Sequence, residues 1–140
     1  MLDFINLVKE ILEDKGLTTK NLFNDGVISE NTFYKYKHRY PNLATLLKIA
    51  NYLCVSVDYL FGLSDENKFK PYSLKQKNLY STIVSLIENA GLSQRQFSKD
   101  LNYSRVNLLR WKKGTSPNVQ SLIEIAKYFN IPIDDLLEKE

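Results

Sequence analysis

Few side chains in this chain could carry covalent or metal chemistry. The one histidine, His38, stands among Lys35, Lys37, Arg39 and Tyr40, where a surface or phosphate-neighbouring role is expected. The one cysteine, Cys54, has no second thiol as a resolving partner, so it is expected to be a partly buried structural thiol. Asp58 and Asp134 recur at the start of short helices, where the positive end of the dipole favours a carboxylate. There is no glycine-rich phosphate loop, no nucleophile with a histidine partner and no set of metal ligands. Catalytic residues, a metal and a cofactor are therefore not expected. Hydrogen-bonding and cationic side chains do concentrate, between Leu92 and Gly114: Gln94, Arg105, Asn107, Arg110, Lys112 and Lys113. Arginine and asparagine are the types suited to guanine and adenine edges, and lysine is suited to phosphate.

The elements that must position these residues are written twice. Gly16-Leu17-Thr18 returns as Gly91-Leu92-Ser93, an offset of 75. Pro41-Asn42 returns as Pro117-Asn118, and Ile49-Ala50-Asn51-Tyr52 as Ile125-Ala126-Lys127-Tyr128, an offset of 76. One residue has been gained or lost between Tyr36/Trp111 and Pro41/Pro117, where a loop tolerates it. A repeat this long is a small domain, not a solenoid unit.

Each half reads as five short helices. Phe4, Ile5, Val8, Ile11 and Leu12 form one apolar stripe, and Leu79, Ile83, Leu86 and Ile87 form its counterpart. Thr18 and Ser93 are placed to cap a second helix, Ser29 and Ser104 a third. Pro41-Asn42 and Pro117-Asn118 open a fourth helix, with Leu43, Leu46, Leu47, Ala50 and Leu53 inward in one copy and Leu122, Ile123, Ile125, Ala126 and Phe129 in the other. Ser56 and Pro132 introduce a last short helix. The expected organisation is all-α: a domain over 1–63, a linker over 64–73 and a domain over 74–140. Within the polar linker, Phe69 and Tyr72 could dock onto a domain.

Composition agrees with a globular chain: 44% of residues are hydrophobic and 25% charged. No apolar run reaches the roughly 18 residues a membrane span needs. Asp3, Asn6 and Lys9 break the apolar run from Leu2 to Leu12, which marks an amphipathic helix and not a signal peptide. A cytoplasmic protein without membrane contact is expected. The net charge of +3 is unevenly shared. Up to Glu66 there are 7 Lys/Arg against 9 Asp/Glu, a net of −2, and from Asn67 onward 12 against 7, a net of +5. The basic half suggests a polyanionic partner.

Within Leu92–Gly114 two short helices would meet at a tight turn on Asn102, a residue type that tolerates positive φ. Ser98, four positions earlier, is small enough for the helices to cross closely, and Phe97, Leu101, Leu108 and Trp111 would fix the angle. That is the pattern of a helix-turn-helix, whose second helix enters the DNA major groove. Here the chain resembles the lambda-repressor-like (Cro/C1, or Xre) family of five-helix DNA-binding domains. The resemblance runs through residues 79–138 and includes Leu92-Ser93-Gln94, the Asn102 turn and Ile131-Pro132-Ile133-Asp134-Asp135-Leu136. It implies that Gln94 holds a phosphate and braces the recognition helix. It further implies that Ser104, Arg105, Val106 and Asn107 stand at the groove-facing tip. Arg110 would follow at base or phosphate, and Lys112 and Lys113 would meet phosphates.

Residues 4–61 match the same pattern less closely. Phe23 stands at the small-residue position and Val27 at the turn position, where a β-branched residue resists positive φ. Gly26, one place earlier, can take over and re-aim the third helix. Thr19 and Glu30 stand where the second copy has Gln94 and Arg105. A carboxylate there repels phosphate, although it can accept a hydrogen bond from cytosine. Thr19, Glu30, Asn31, Lys35, Lys37 and Arg39 are the candidate DNA-facing residues of this copy.

Two functional readings follow. The first is a sequence-specific regulator of transcription bound to double-stranded DNA, a repressor of phage, plasmid or mobile-element type. Major-groove faces recur about every 34 Å, and an extended linker of about a dozen residues spans up to about 40 Å. One chain could thus reach two half-sites, and a homodimer would multiply the contacts. The second is a protein-interaction module, an antirepressor or assembly factor, with the first copy as the docking domain for a protein partner.

Overall fold

The computed structural model describes residues 3–140; Met1 and Leu2, which the sequence reading counts in the first domain, lie outside them. The chain divides into two units, Met1–Leu74 with Lys139–Glu140, and Lys75–Glu138. Both are helical, and no β-strand occurs among the described residues.

The first unit contains α1 (Phe4–Asp14), α2 (Thr19–Asn24), α3 (Glu30–Tyr34), α4 (Leu43–Leu53) and α5 (Val57–Leu60), with a 3-10 turn at Lys35–Lys37 after α3. Asp3 caps α1, its carboxylate accepting from the Asn6 N–H at 3.2 Å. The expected stripe of Phe4, Ile5, Val8, Ile11 and Leu12 is buried, as are Leu43, Leu46, Leu47, Ala50 and Leu53 of α4. Fully burying a side chain of this size stabilises by about 1.5–3 kcal/mol, so α1 and α4 dominate the core.

The second unit contains α6 (Leu79–Asn89), α7 (Gln94–Asp100), α8 (Arg105–Lys112) and α9 (Val119–Phe129), and closes with a 3-10 turn at Ile133–Leu136. The last short helix expected from the sequence is thus 3-10, held by bonds from Asp135 N–H to the Pro132 carbonyl and from Leu137 N–H to the Asp134 carbonyl, both 3.1 Å. Leu137 then turns extended, leaving too few residues for an i to i−4 ladder. Glu138 follows, and its carboxylate accepts from the Lys77 N–H at 2.6 Å and the Asn78 amide at 2.5 Å, just ahead of α6.

The Pro-Asn pairs open their helices by side-chain capping. Asn42 accepts from the Thr45 N–H at 2.9 Å, and Asn118 from the Ser121 N–H at 2.8 Å. The same two helices end alike, with Cys54 at φ 55° and Asn130 at φ 54° in the left-handed region. That conformation turns Cys54 outward past the apolar stripe of α4, so its thiol is exposed and not partly buried as expected.

Tyr72 is fully buried within the first unit. Its hydroxyl accepts from the Val57 N–H at 2.9 Å, and its backbone exchanges two bonds with the Asn51 amide, at 2.8 and 3.1 Å. Upstream, Asn67 accepts from the Ser56 N–H and donates to the Cys54 carbonyl, both at 2.9 Å. Asn67 thereby fastens the junction between α4 and α5. Tyr72→Phe should leave the Val57 N–H buried without that partner and lower unfolding free energy by about 1–3 kcal/mol. Urea denaturation followed by circular dichroism would measure it, and an unchanged midpoint would contradict the anchoring role.

Candidate nucleic-acid interface

In the second unit the joint between α7 and α8 rests on Asn102, which adopts φ 59°. Tyr103 N–H reaches the Ser98 carbonyl at 2.8 Å and Asn102 N–H the Lys99 carbonyl at 3.2 Å, the paired bonds of a Schellman closure. Ser98 is buried. Around it an aromatic cluster fixes the crossing: Phe97 stacks on Phe129 at 5.8 Å and meets Tyr128 edge-on at 5.6 Å. Tyr103 meets Trp111 edge-on at 5.6 Å and donates its hydroxyl to Glu124 at 2.8 Å. Burial, reinforced by Glu124, raises the Tyr103 phenol well above its usual range. Leu108 and Trp111 are buried as expected, while Leu101 is half-buried.

The end of α7 is also latched to α9. Tyr128 donates to the Asp100 carboxylate at 2.6 Å, and the Gln96 amide donates to the other oxygen at 2.6 Å. The first unit repeats this with Tyr52 donating to Asp25. Both phenols lie above their usual pKa, chiefly because the hydrogen bond to the aspartate favours the protonated form.

With its inner face committed, α8 presents Arg105, Val106, Leu109 and Arg110 to solvent; Val106 is 49% and Leu109 50% exposed. Lys112 and Lys113 continue this exposed surface, and Asn107 is half-buried. Ser104 occupies the cap position, but its hydroxyl donates to the Asn107 amide oxygen at 3.4 Å and makes no capping bond to the helix backbone. Ser29 does cap α3, accepting from the Thr32 N–H at 3.2 Å, and Ser93 caps α7 through Gln96 N–H at 3.0 Å. At Thr18 the reach runs backward, from its N–H to the Asn21 amide oxygen at 2.9 Å.

The structure brings Gln94, Arg105 and Lys112 together on the wall of one groove of about 730 Å³, while Val106, Asn107, Arg110 and Lys113 lie outside it. The same groove is lined by Tyr80, Arg95, Lys99 and Leu109, which the sequence reading did not single out. Arg95 and Lys99 stand four apart on α7, a spacing that puts them on one face, so that pair was legible. The contribution of Tyr80 depends on packing of α6 and left no local signal.

In the first unit the turn has moved. Gly26 takes φ 73° in place of Val27, and α2 ends one residue early. The paired closing bonds recur from Val27 N–H to Leu22 and Gly26 N–H to Phe23, at 3.0 and 3.3 Å. The residue lost from the helix reappears in the turn, so Ser29 still precedes α3. That helix is shorter, five residues against eight in α8, before the 3-10 turn. Phe23 packs edge-on against Phe33 at 5.8 Å, and beside them Tyr34 stays 45% exposed with the Lys9 ammonium 5.7 Å from its ring centre. Glu30, Asn31, Lys35, Lys37, His38 and Arg39 are exposed, and Thr19 is half-buried. Among the described residues no group of three His, Cys, Asp or Glu side chains could hold a metal ion.

Fold, family and relatives together define a DNA-binding protein of the helix-turn-helix class that serves transcription regulation. Residues 83–136 match the helix-turn-helix family and residues 8–66 the Cro/C1-type HTH DNA-binding domain. The chain belongs to the lambda-repressor-like (Cro/C1, Xre) helix-turn-helix family, with two copies in tandem. It is similar to the HTH-type transcriptional regulator ImmR of Bacillus subtilis (strain 168), 27% identical over 122 residues, which covers 86% of this chain and 94% of ImmR. It is also similar to the HTH-type transcriptional activator BcrR of Enterococcus faecalis, 40% identical over 50 residues, which covers 35% of this chain but only 24% of BcrR. No solved structure matches the chain.

Two expectations follow for the turns and latches. Gly26→Ala and Asn102→Ala should each cost about 1–2 kcal/mol, the penalty for a Cβ in the left-handed region, while Asn102→Gly should leave the urea midpoint nearly unchanged. The latch phenols are raised above 10.0 in the folded state, so their contribution is complete below pH 10.0 and is lost as pH rises through the folded values. A thermal melt series from pH 8 to 12 should therefore fall more gently for Tyr52→Phe with Tyr128→Phe than for wild type; parallel curves would remove the latches from the account.

Proposed function

We propose that this chain is a sequence-specific regulator of transcription that reads the major groove of duplex DNA with α8, and that it acts as a repressor of phage, plasmid or mobile-element type. The observation that carries this reading is the outer face of α8. Arg105, Val106 and Arg110 stand exposed on a helix whose angle is fixed by Asn102 and the aromatic cluster beneath. A rigid helix offering arginines beside an apolar methyl-bearing side chain suits guanine edges and thymine methyls. Gln94, Ser104, Asn107, Lys112 and Lys113 complete the proposed contact set, through phosphates and the tip of α8. The likeness to ImmR over most of both chains supports regulation as the role, and a DNA partner places the work in the cytoplasm. A homodimer would double the readers on a palindromic operator.

The first unit admits a second reading. Glu30 at the tip of its short α3, beside the exposed Tyr34, favours a docking surface for protein over a DNA reader. Thr19, Asn31, Lys35, Lys37 and Arg39 are its candidate DNA contacts if it binds the duplex.

Selection of bound fragments from a random duplex library, then anisotropy on the winners, tests both readings. Arg105→Ala should weaken the selected duplex by about ten- to hundredfold, as loss of one bidentate base contact worth about 1–3 kcal/mol would. Two enriched motifs at fixed spacing would assign reading to both units. One motif, lost in Arg105→Ala, would assign it to the second. Weak binding that ignores Arg105 would overturn the regulator reading.

A further inference from the structure

Val106 and Leu109 are the large apolar side chains that the second unit leaves exposed, and both stand on α8. They are three residues apart, a spacing that puts their side chains on one helix face about 5–6 Å from each other. Arg105 and Arg110 flank the pair in sequence, Lys112 and Lys113 follow, and residues 105–113 contain no carboxylate. All of these cations are exposed. Their charge decides what covers the apolar pair. A second copy of α8 packed on the same face would set arginine against arginine, because a two-fold contact pairs a surface with itself. A polyanion meets no such opposition, so the pair belongs against the duplex. Val106 is β-branched and has one strongly preferred rotamer in a helix, so its methyls hold a fixed position.

From this arrangement we infer that Val106 and Leu109 make binding depend on the C5 methyl groups of two nearby pyrimidines. Thymine and 5-methylcytosine are then equivalent at those positions, and methylation of cytosine can create a site. The inference rests on the reading of α8 as the groove-reading helix. It adds Leu109 as a determinant of specificity and base modification as a regulator. In the major groove thymine differs from cytosine in two ways, an O4 acceptor in place of an N4 donor and a methyl at C5. An aliphatic side chain makes no hydrogen bond and is indifferent to the first difference. It responds to the second, because a methyl buried against it leaves water. 5-Methylcytosine carries that methyl on the same ring carbon, with guanine still opposite. Arg105 and Arg110 adjoin the pair, and arginine is the side chain that suits a guanine edge. A methylated C·G pair therefore offers both side-chain types a partner, and an unmethylated one offers only the arginine. The separation of about 5–6 Å lies between one and two base steps of about 3.4 Å, which sets the two pyrimidines at adjacent or next-adjacent positions.

The first unit lacks the device. At the positions of Val106 and Leu109 it carries Asn31 and Tyr34, an amide and a phenol, the latter with the Lys9 ammonium 5.7 Å from its ring centre. Glu30 and Lys35 stand in place of the flanking arginines. Dependence on pyrimidine methyls belongs to the second unit alone.

The test uses the full chain and anisotropy on duplexes built from the selected sequence. Replacing its thymines one at a time by uracil removes the methyl and nothing else. Two of these changes, at adjacent or next-adjacent positions, should each weaken binding about fourfold, the equivalent of one buried methyl. Val106→Ala and Leu109→Ala should each abolish the uracil effect at one of the two positions, with the thermal midpoint unchanged because both side chains are exposed. At the same positions 5-methylcytosine should bind wild type about fourfold tighter than cytosine does, and the matching alanine variant should not distinguish them. Uracil without effect at every thymine, while Arg105→Ala still loses the selected duplex, would overturn the methyl reading and leave the regulator reading standing. A uracil effect that both alanine variants retain would also overturn it, by tracing the loss to the duplex itself. A uracil effect with no gain from 5-methylcytosine over cytosine would overturn the equivalence of the two bases. If wild type selects no duplex, the regulator reading fails and the methyl dependence fails with it.

Discussion

The crossing of α7 over α8 is the constraint on which the presentation of every proposed reader depends. It has three components, each with a separate cause: a left-handed residue at Asn102, a small residue at Ser98, and the aromatic cluster of Phe97, Tyr103, Trp111 and Phe129. Backbone sterics restrict the turn to few residue types, while edge-to-face and stacked contacts restrict the angle. Hydrogen bonding adds a second tether, because Tyr128 and Tyr103 tie the end of α7 and the turn to Asp100 and Glu124. With its inner side so occupied, α8 leaves its outer side free of structural duty. That freedom allows exposed Val106, Leu109 and arginines on a helix without cost to the fold.

The two copies show which parts of the module are interchangeable and which are not. The fourth-helix caps and the positions of the core stripes recur, including the Pro-Asn openings and the left-handed ends at Cys54 and Asn130. The tyrosine–aspartate latch also recurs, although the residues around its aspartate differ. Divergence concentrates on the surface of the third helix and in the turn before it. A buried stripe must satisfy packing at every position, whereas an exposed helix tip answers only to its partner, so the tips drift first.

Much of this was legible in the sequence. The repeat, the first four helices of each copy, the Asn102 turn and the transfer of the turn to Gly26 follow from periodicity and from the residue types that reach positive φ. Other features were hidden because they depend on contacts distant in sequence. Tyr72 sits in a polar, proline-bearing stretch that reads as linker, and its burial rests on partners distant in sequence, the Val57 N–H and the Asn51 amide among them. Cys54 looked partly buried because thiols commonly are, yet a C-terminal left-handed residue points away from the stripe it follows. Ser104 has the right residue type for a cap, but the neighbouring Asn107 amide competes for its hydroxyl. The groove gathers residues from three helices, of which only the Arg95–Lys99 spacing could be seen along the chain.

The displaced turn of the first unit is compensated within a few residues: Thr18 and Ser93, then Ser29 and Ser104, remain 75 apart on either side of it. The register difference of the turn is therefore closed between those capping residues, and the change of offset from 75 to 76 arises separately, in the loop before Pro41 and Pro117. For a protein engineer this marks natural seams. The segment between the caps is a cassette, to be transplanted whole between the copies or from a related chain. Point-by-point conversion would pass through intermediates with the helix of one copy joined to the turn of the other.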